Sequence, residues 1–274
     1  MAIVTHGSDL SLAPTLRPLI QSAGGTLRAA LDGLAARGIG PVQLDATVPG
    51  LRPRELDERA RRDLTALIRR RGAYTAGLDV FIPRRHFIEP ASVDRAMAAA
   101  VAAIELAADL GRLPVSLALP VGRLDAALRE VLVEAADGRG VRLAVHAEDQ
   151  LDALEHWLDD VDLPALGAGL DPAPLLARGG DPVQAAQRLA HHLAVARLSD
   201  VERMATDDEA DGLRGEAVRC PVGSGSLDLP AYRVSVDLAQ QRVGPVVLDL
   251  RGLANAFEAV GAAGRAWDDA GFEV

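Results

Sequence analysis

The stretch from Val141 to Asp171, VRLAVHAEDQLDALEHWLDDVDLPALGAGLD, contains the repeating unit that decides the fold. It opens with an apolar run that ends in a histidine, which predicts a buried strand over Val141–His146. A helical pattern follows over about Gln150–Leu158, and a second apolar run predicts the next strand over Ala165–Asp171. This order predicts two parallel strands joined by a crossover helix.

The same alternation of strand and helix continues along the chain. A closed barrel and an open doubly wound sheet share this pattern. Two observations favour the barrel: eight strands are predicted, and no glycine-rich phosphate fingerprint follows the first of them. We therefore predict a single α/β domain over residues 1–274, a (β/α)8 TIM barrel. The predicted strands are Ala2–Thr5, Pro41–Asp45, Ala73–Phe81, Pro114–Leu119, Val141–His146, Ala165–Asp171, Leu193–Ser199 and Val246–Leu250.

Two segments depart from the alternation. Ser11–Gly25 contains Pro14 and Pro18 and is predicted to be irregular. Asp200–Asp228 is polar and too long for an ordinary connection, and long loops in compact domains are often functional. Within it, Gly223–Ser226 reads Gly-Ser-Gly-Ser, which could be a backbone cradle for an anion such as phosphate or simply a flexible loop.

Composition excludes several classes of function. The formal net charge of −10 argues against binding to nucleic acid. All 29 basic residues are arginines, so no lysine can form a Schiff base with pyridoxal phosphate, and no nucleotide cofactor is expected. Cys220 is the only cysteine, so an intrachain disulfide is excluded. No signal segment or membrane span is recognised, and we expect a cytoplasmic protein without a membrane partner.

Polar residues stand at the predicted ends of the strands, which converge on one face of a parallel barrel. Each has an ordinary structural explanation, since a strand-end Asp commonly caps the next helix. As a set, carboxylates and an imidazole could hold Mg²⁺, Mn²⁺ or Zn²⁺, whereas an arginine could instead neutralise a carboxylate directly. The residues are Asp45, Asp79, His146 with Glu148, Asp171, Arg197 with Asp200, and Asp249 with Arg251.

Several short segments resemble one family in their order and spacing. They are similar to the sugar phosphate isomerase/epimerase family of xylose isomerase-like barrels, and the resemblance covers roughly residues 25–265. It supports the barrel and implies an isomerase type of chemistry. The segments are Gly140–Val145, Leu170–Pro172, Gly180–Pro182, Leu198–Asp200, Gly223–Asp228 and Gly244–Asp249.

The resemblance also implies a divalent metal held at the strand ends. By position, the family's fifth-strand Glu falls on His146, its sixth-strand Asp on Asp171, and the His three residues later on Pro174. The family's seventh-strand His falls on Arg197 and its eighth-strand Glu on Asp249. A metal held by His146, Asp171 and Asp249 would thus be bound weakly or be absent.

These residues lead to two main hypotheses. The first is a sugar (phosphate) isomerase/epimerase-like enzyme that moves protons on a small polyhydroxylated carbonyl substrate, with His146, Glu148 and Asp249 as catalytic residues. The predicted substrate-binding residues are Arg197, Asp45 and Arg251.

The alternative is a non-catalytic barrel, used for ligand binding or assembly, in which Arg197 pairs with Asp171 or Asp249 and replaces the metal charge. A DNA-repair nuclease, found in the wider family, is disfavoured by the acidic balance and the lost ligands. The expected partner is a carbohydrate-like small molecule, and a homodimer is one expected oligomeric state.

Overall fold

The computed structural model describes residues 11–203, 217–239 and 244–271. Eight strands form the main sheet, and two more, β8 (Asp200–Arg203) and β9 (Ala217–Cys220), form a separate antiparallel ribbon. The strands of the main sheet are β1 (Leu12–Pro14), β2 (Pro41–Asp45), β3 (Tyr74–Val80), β4 (Val115–Ala118), β5 (Leu143–His146), β6 (Leu166–Leu170), β7 (Leu193–Leu198) and β10 (Val246–Leu248).

The main sheet is a parallel barrel. Its strands follow the order β1-β10-β7-β6-β5-β4-β3-β2, and a parallel bridge between Thr15 and Gln43 joins the two ends of that order. Helices alternate with the strands, as parallel pairing requires. The predicted (β/α)8 TIM barrel is therefore confirmed.

Side-chain caps begin several of the helices. The Asp181 carboxylate accepts N–H bonds from Val183 and Gln184, and Pro182 follows it, as the sequence predicted. In the described part of the chain, no helix is long and apolar enough to cross a membrane. The helices are α1 (Leu16–Ser22), α2 (Leu27–Ala35), α3 (Glu58–Arg70), α4 (Val93–Asp109), α5 (Ala126–Arg139), α6 (Leu151–Val161), α7 (Pro172–Ala177), α8 (Pro182–Arg188), α9 (Leu229–Ala239) and α10 (Ala256–Asp269).

The beginning of the barrel differs from the prediction. The predicted strand Ala2–Thr5 lies outside the described residues, and the predicted irregular segment Ser11–Gly25 contains both β1 and α1. Pro14 is the last residue of β1, and Pro18 lies in the first turn of α1, where no intrahelical N–H bond is needed. Reading these prolines as breakers was therefore wrong.

The segment after β7, which was predicted to be a long polar loop, contains an antiparallel ribbon. In β8 and β9, Asp200 lies opposite Cys220 and Val201 opposite Arg219. Residues 204–216 lie outside the described part. The β8–β9 ribbon is an insertion between the seventh barrel strand and α9, next to the strand ends.

Small side chains line part of the barrel interior. The main apolar core lies between the sheet and the helices, whereas Ala144, Ala194, Val195 and Val247 form a separate buried cluster. Since these residues are short, space remains inside the barrel for longer polar side chains at the strand ends.

Candidate functional site

The barrel brings most of the predicted site residues together at one end. His146 ends β5, Asp171 directly follows β6, and Arg197 lies near the end of β7. With Glu148, these side chains line a cavity of about 470 Å³. Asp249, which follows β10, is fully buried and contacts Arg197. This end of the barrel is the candidate functional site.

Arg197 crosses the interior of the barrel. Its Nη2 lies 2.9 Å from Oδ1 of Asp79 on β3, and its Nη1 lies 3.4 Å from Oδ2 of Asp249. In the strand order, β7 and β3 lie on opposite sides of the barrel. Burial alone would lower the pKa of Arg197, but the charges of Asp79 and Asp249 raise it above its ordinary value. Arg197 is therefore a fixed cation at the base of the cavity.

Two further arginines surround Asp249. Arg219 Nη1 lies 3.1 Å from Asp249 Oδ2, and Arg251 donates from Nε to Asp249 Oδ1 at 2.8 Å. Burial alone would raise the pKa of Asp249, but the hydrogen bonds and charge of Arg251, with the charges of Arg219 and Arg197, hold it well below its ordinary value of 3.8. Asp249 is therefore an ionised carboxylate shared by three guanidinium groups.

Asp171 shares two of these arginines. Its Oδ2 lies 3.2 Å from Arg219 Nη2 and 3.8 Å from Arg251 Nη2. Its Oδ1 accepts a hydrogen bond from Ser199 Oγ at 2.5 Å and also caps α7. The non-catalytic hypothesis predicted that Arg197 pairs with Asp171 or Asp249. In the structure Arg197 forms ion pairs with Asp249 and with Asp79.

His146 and Glu148 form a buried pair. His146 Nδ1 lies 2.9 Å from Glu148 Oε1, which also accepts the backbone N–H of Asp171 at 3.0 Å. Burial alone would raise the pKa of Glu148, but the hydrogen bond and charge of His146 and the charge of Arg84 hold it below its ordinary value of 4.5. In a neutral His146 ring, an ionised Glu148 would favour the tautomer that carries its proton on Nδ1.

Three buried polar atoms at this site have no hydrogen-bond partner within the described residues: His146 Nε2, Arg197 Nε and Arg219 Nη1. Arg219 Nη1 is in ionic contact with Asp249 but is not aligned for a hydrogen bond. Buried polar groups are rarely left unsatisfied in native proteins. All three atoms belong to side chains that line the cavity.

The comparison with family models decides the family. The model described as the xylose isomerase-like TIM barrel matches residues 31–251. The chain belongs to this family. No curated protein matches the chain. The sequence-based resemblance is thus confirmed for the family and the fold.

Solved structures of the xylose isomerase-like family share the fold at low sequence identity. A xylose isomerase domain protein from Planctomyces limnophilus is 16% identical, with a TM-score of 0.72 over 95% of each chain. A xylose isomerase-like TIM barrel protein from Mycobacterium smegmatis, in complex with magnesium, is 14% identical, with a TM-score of 0.72 over 96% of this chain and 97% of that one. A sugar phosphate isomerase/epimerase from Parabacteroides distasonis is 12% identical, with a TM-score of 0.61 over 96% and 95%.

The residues present here do not fit the divalent metal that the xylose isomerase-like family implies. The carboxylates of Asp171 and Asp249 are both occupied by guanidinium groups, and the Nδ1 of His146 by Glu148. Among the described residues, no group of three His, Cys, Asp or Glu could hold a metal ion. The predicted ligands His146, Asp171 and Asp249 thus share a rim but do not form a ligand set.

Two expectations for the site differ from the structure. Asp45 does not line the cavity, because its Oδ2 lies 2.7 Å from Arg17 Nε and its Oδ1 accepts from Thr47. The amides of the Gly223–Ser226 loop are not free for phosphate, since those of Gly223 and Gly225 donate to the Asp200 carboxylate at 3.1 and 3.0 Å.

Sequence reasoning missed several residues that line the cavity. Arg84 forms an ion pair with Asp149 and lies 3.6 Å from Glu148. Phe81 is 54% exposed and lies 5.0 Å, ring centre to guanidinium carbon, from Arg251. The available sequence signal for Phe81 was an aromatic residue at the carboxyl end of the predicted strand Ala73–Phe81. No local signal marked Arg219.

Gly169 provides the space for the His146 ring. A Cβ at this position would fall 2.3 Å from His146 Nε2, so the ring would have to move. We expect Gly169→Ala to lower the free energy of unfolding by about 1–3 kcal/mol, as overpacking does. Gly264→Ala in α10 is the matched control, because a Cβ there meets nothing within 4 Å. Urea unfolding curves that give Gly169→Ala the stability of the wild type would contradict this packing.

Proposed function

We propose that this chain is an isomerase or epimerase that transfers protons on a small polyhydroxylated carbonyl compound without a divalent metal. The observation that carries the proposal is the His146–Glu148 pair. It couples a carboxylate held ionised to an imidazole whose Nε2 has no partner within the described residues. This arrangement suits a general base near neutral pH.

The proposed chemistry uses proton transfer and fixed positive charge. The His146–Glu148 pair removes the proton from the carbon next to the substrate carbonyl, and negative charge develops on the carbonyl oxygen. Arg219 and Arg251, which line the same cavity, stabilise that charge. Isomerisation follows when a proton is delivered to the former carbonyl carbon and the neighbouring hydroxyl proton passes to the former carbonyl oxygen. Epimerisation follows when a proton is delivered to the opposite face of the original carbon.

Solvent deuterium exchange tests this proposal directly. Ketoses, aldoses and their phosphates are incubated in D₂O with the protein and a chelator, and NMR follows the C–H next to the carbonyl. We expect exchange with at least one compound, and a loss of about 10²–10⁴-fold in the exchange rate for His146→Asn. His192→Asn is the matched control, since His192 pairs with Asp159 at 2.8 Å on the far side of the barrel, before β7.

The second candidate function is a barrel that binds such a compound without converting it. The ion pairs inside the site favour this function, because a charge that is already paired is less available for catalysis. Arg197 is 3% exposed, and its guanidinium is paired with Asp79 and Asp249. Saturable binding of a sugar without deuterium exchange would support this function and contradict the enzyme. Exchange that is unchanged in His146→Asn would also contradict the proposed role of His146.

A further inference from the structure

Arg219 reaches the site from outside the barrel. It lies on β9 of the β8–β9 ribbon, yet its guanidinium lies between the two carboxylates that follow β6 and β10. Its Nη2 is 3.2 Å from Asp171 Oδ2, and its Nη1 is 3.1 Å from Asp249 Oδ2. Arg251 also touches both carboxylates, but it lies only two residues after Asp249. Arg219 is therefore a bridging cation that the inserted ribbon contributes.

A buried carboxylate holds the ribbon in place. Asp200, which is 1% exposed, accepts backbone N–H bonds from Val201, Gly223, Gly225 and Leu227 at 2.9–3.1 Å. A Cβ at Gly225 would fall 2.4 Å from Asp200 Oδ1, so only glycine allows this approach. These bonds fix the strand that carries Arg219.

The two carboxylates bridged by Arg219 have little access to water. The Asp171 side chain is 6% exposed, and that of Asp249 is 0% exposed. Two carboxylates that direct oxygens at one position require a cation there, because a buried negative charge without a partner is costly. Oxygen ligands of this kind suit Mn²⁺ or Mg²⁺ when no internal cation competes for them.

We propose that Arg219 is a tethered cation that occupies the place of a divalent metal between Asp171 and Asp249 and so keeps metals out. The inference rests on the metal-free site of the proposed function and names the residue responsible for it. Removal of Arg219 takes one positive charge from the position that Asp171 Oδ2 and Asp249 Oδ2 share, while Arg251 still contacts both oxygens. A divalent cation site should then appear.

Metal binding to purified variants tests the inference. Titration calorimetry with Mn²⁺, together with metal analysis after dialysis against Mn²⁺, should show at least about tenfold tighter binding by Arg219→Ala than by the wild type. Removing the second bridging arginine as well, in Arg219→Ala/Arg251→Ala, should tighten binding further. Arg219→Lys, which keeps the charge, should bind no more Mn²⁺ than the wild type.

A matched control separates this position from the general charge of the cavity. Arg84→Ala removes a cation from the same cavity, but Arg84 pairs with Glu148 and Asp149, so no gain in Mn²⁺ binding is expected. If Arg219→Ala does not fold, Arg219→Gln, which keeps much of the side-chain length, serves for the same titration.

Three results would overturn the inference: tight Mn²⁺ binding by the wild type, unchanged Mn²⁺ affinity in folded Arg219→Ala, or an equal gain in Arg84→Ala. None of these measurements depends on turnover. If Mn²⁺ binding appears in Arg219→Ala while the wild type exchanges no substrate proton, the tethered cation stands and the proposed enzyme activity fails.

Discussion

Arg197→Ala is expected to lower the free energy of unfolding by about 3–5 kcal/mol, a large part of the total stability of an ordinary domain. Arg197 joins opposite sides of the barrel, 2.9 Å from Asp79 and 3.4 Å from Asp249. Its removal leaves two buried carboxylates with one cation fewer and also leaves a void inside the barrel. Urea unfolding followed by circular dichroism measures the loss.

Arg59→Ala is the matched control for this prediction. Arg59 is 85% exposed and lies 3.8 Å from Asp63, so its loss should change the stability by less than about 0.5 kcal/mol. In a double-mutant cycle, Arg197→Ala and Asp79→Ala should be coupled by about 0.5–3 kcal/mol. A loss below about 1 kcal/mol for Arg197→Ala would show that the cross-barrel ion pair is not needed for the fold.

The barrel could be predicted because its signal is local and repeated. Strands buried on both faces are continuous apolar runs, and the predicted Val141–His146 contains the observed β5, Leu143–His146. The first barrel strand could not be found in this way, since β1 has only three residues, Leu12–Pro14. Its place in the barrel depends on parallel pairing with β10 at the other end of the chain.

The candidate site could be predicted only in part. The convergence of parallel strand ends correctly grouped His146, Glu148, Asp171, Arg197 and Asp249. That rule does not say which side chains form ion pairs with each other, so it could not show that Asp45 pairs with Arg17.

Arg219 could not be predicted from its own neighbourhood. It is 48 residues from Asp171 in sequence and lies on a ribbon outside the barrel repeat. Its position depends on the Asp200 carboxylate and the glycines of the Gly223–Ser226 loop, which form one structure only in the folded chain. The sequence suggested an anion cradle in that loop, and the anion that it holds is the side chain of Asp200.

Asp249→Asn is expected to lower the free energy of unfolding by about as much as Arg197→Ala does, and the size of this loss should depend on pH. The change removes the charge that three buried or half-buried guanidinium groups share, and should cost about 3–5 kcal/mol at neutral pH. In the folded protein the pKa of Asp249 lies well below its ordinary value of 3.8. Its ionised form therefore contributes stability that is complete above that value and is lost as the pH falls toward the lower, folded-state pKa.

The difference in stability between the wild type and Asp249→Asn should therefore be constant from neutral pH to about pH 5 and should narrow below about pH 4. Urea unfolding midpoints measured across this range test the prediction. Asp63→Asn, at a carboxylate that is 73% exposed, should differ from the wild type by less than about 0.5 kcal/mol at neutral pH. A difference that stayed constant, or grew, toward pH 3 would mean that ionised Asp249 is not what holds the three arginines together.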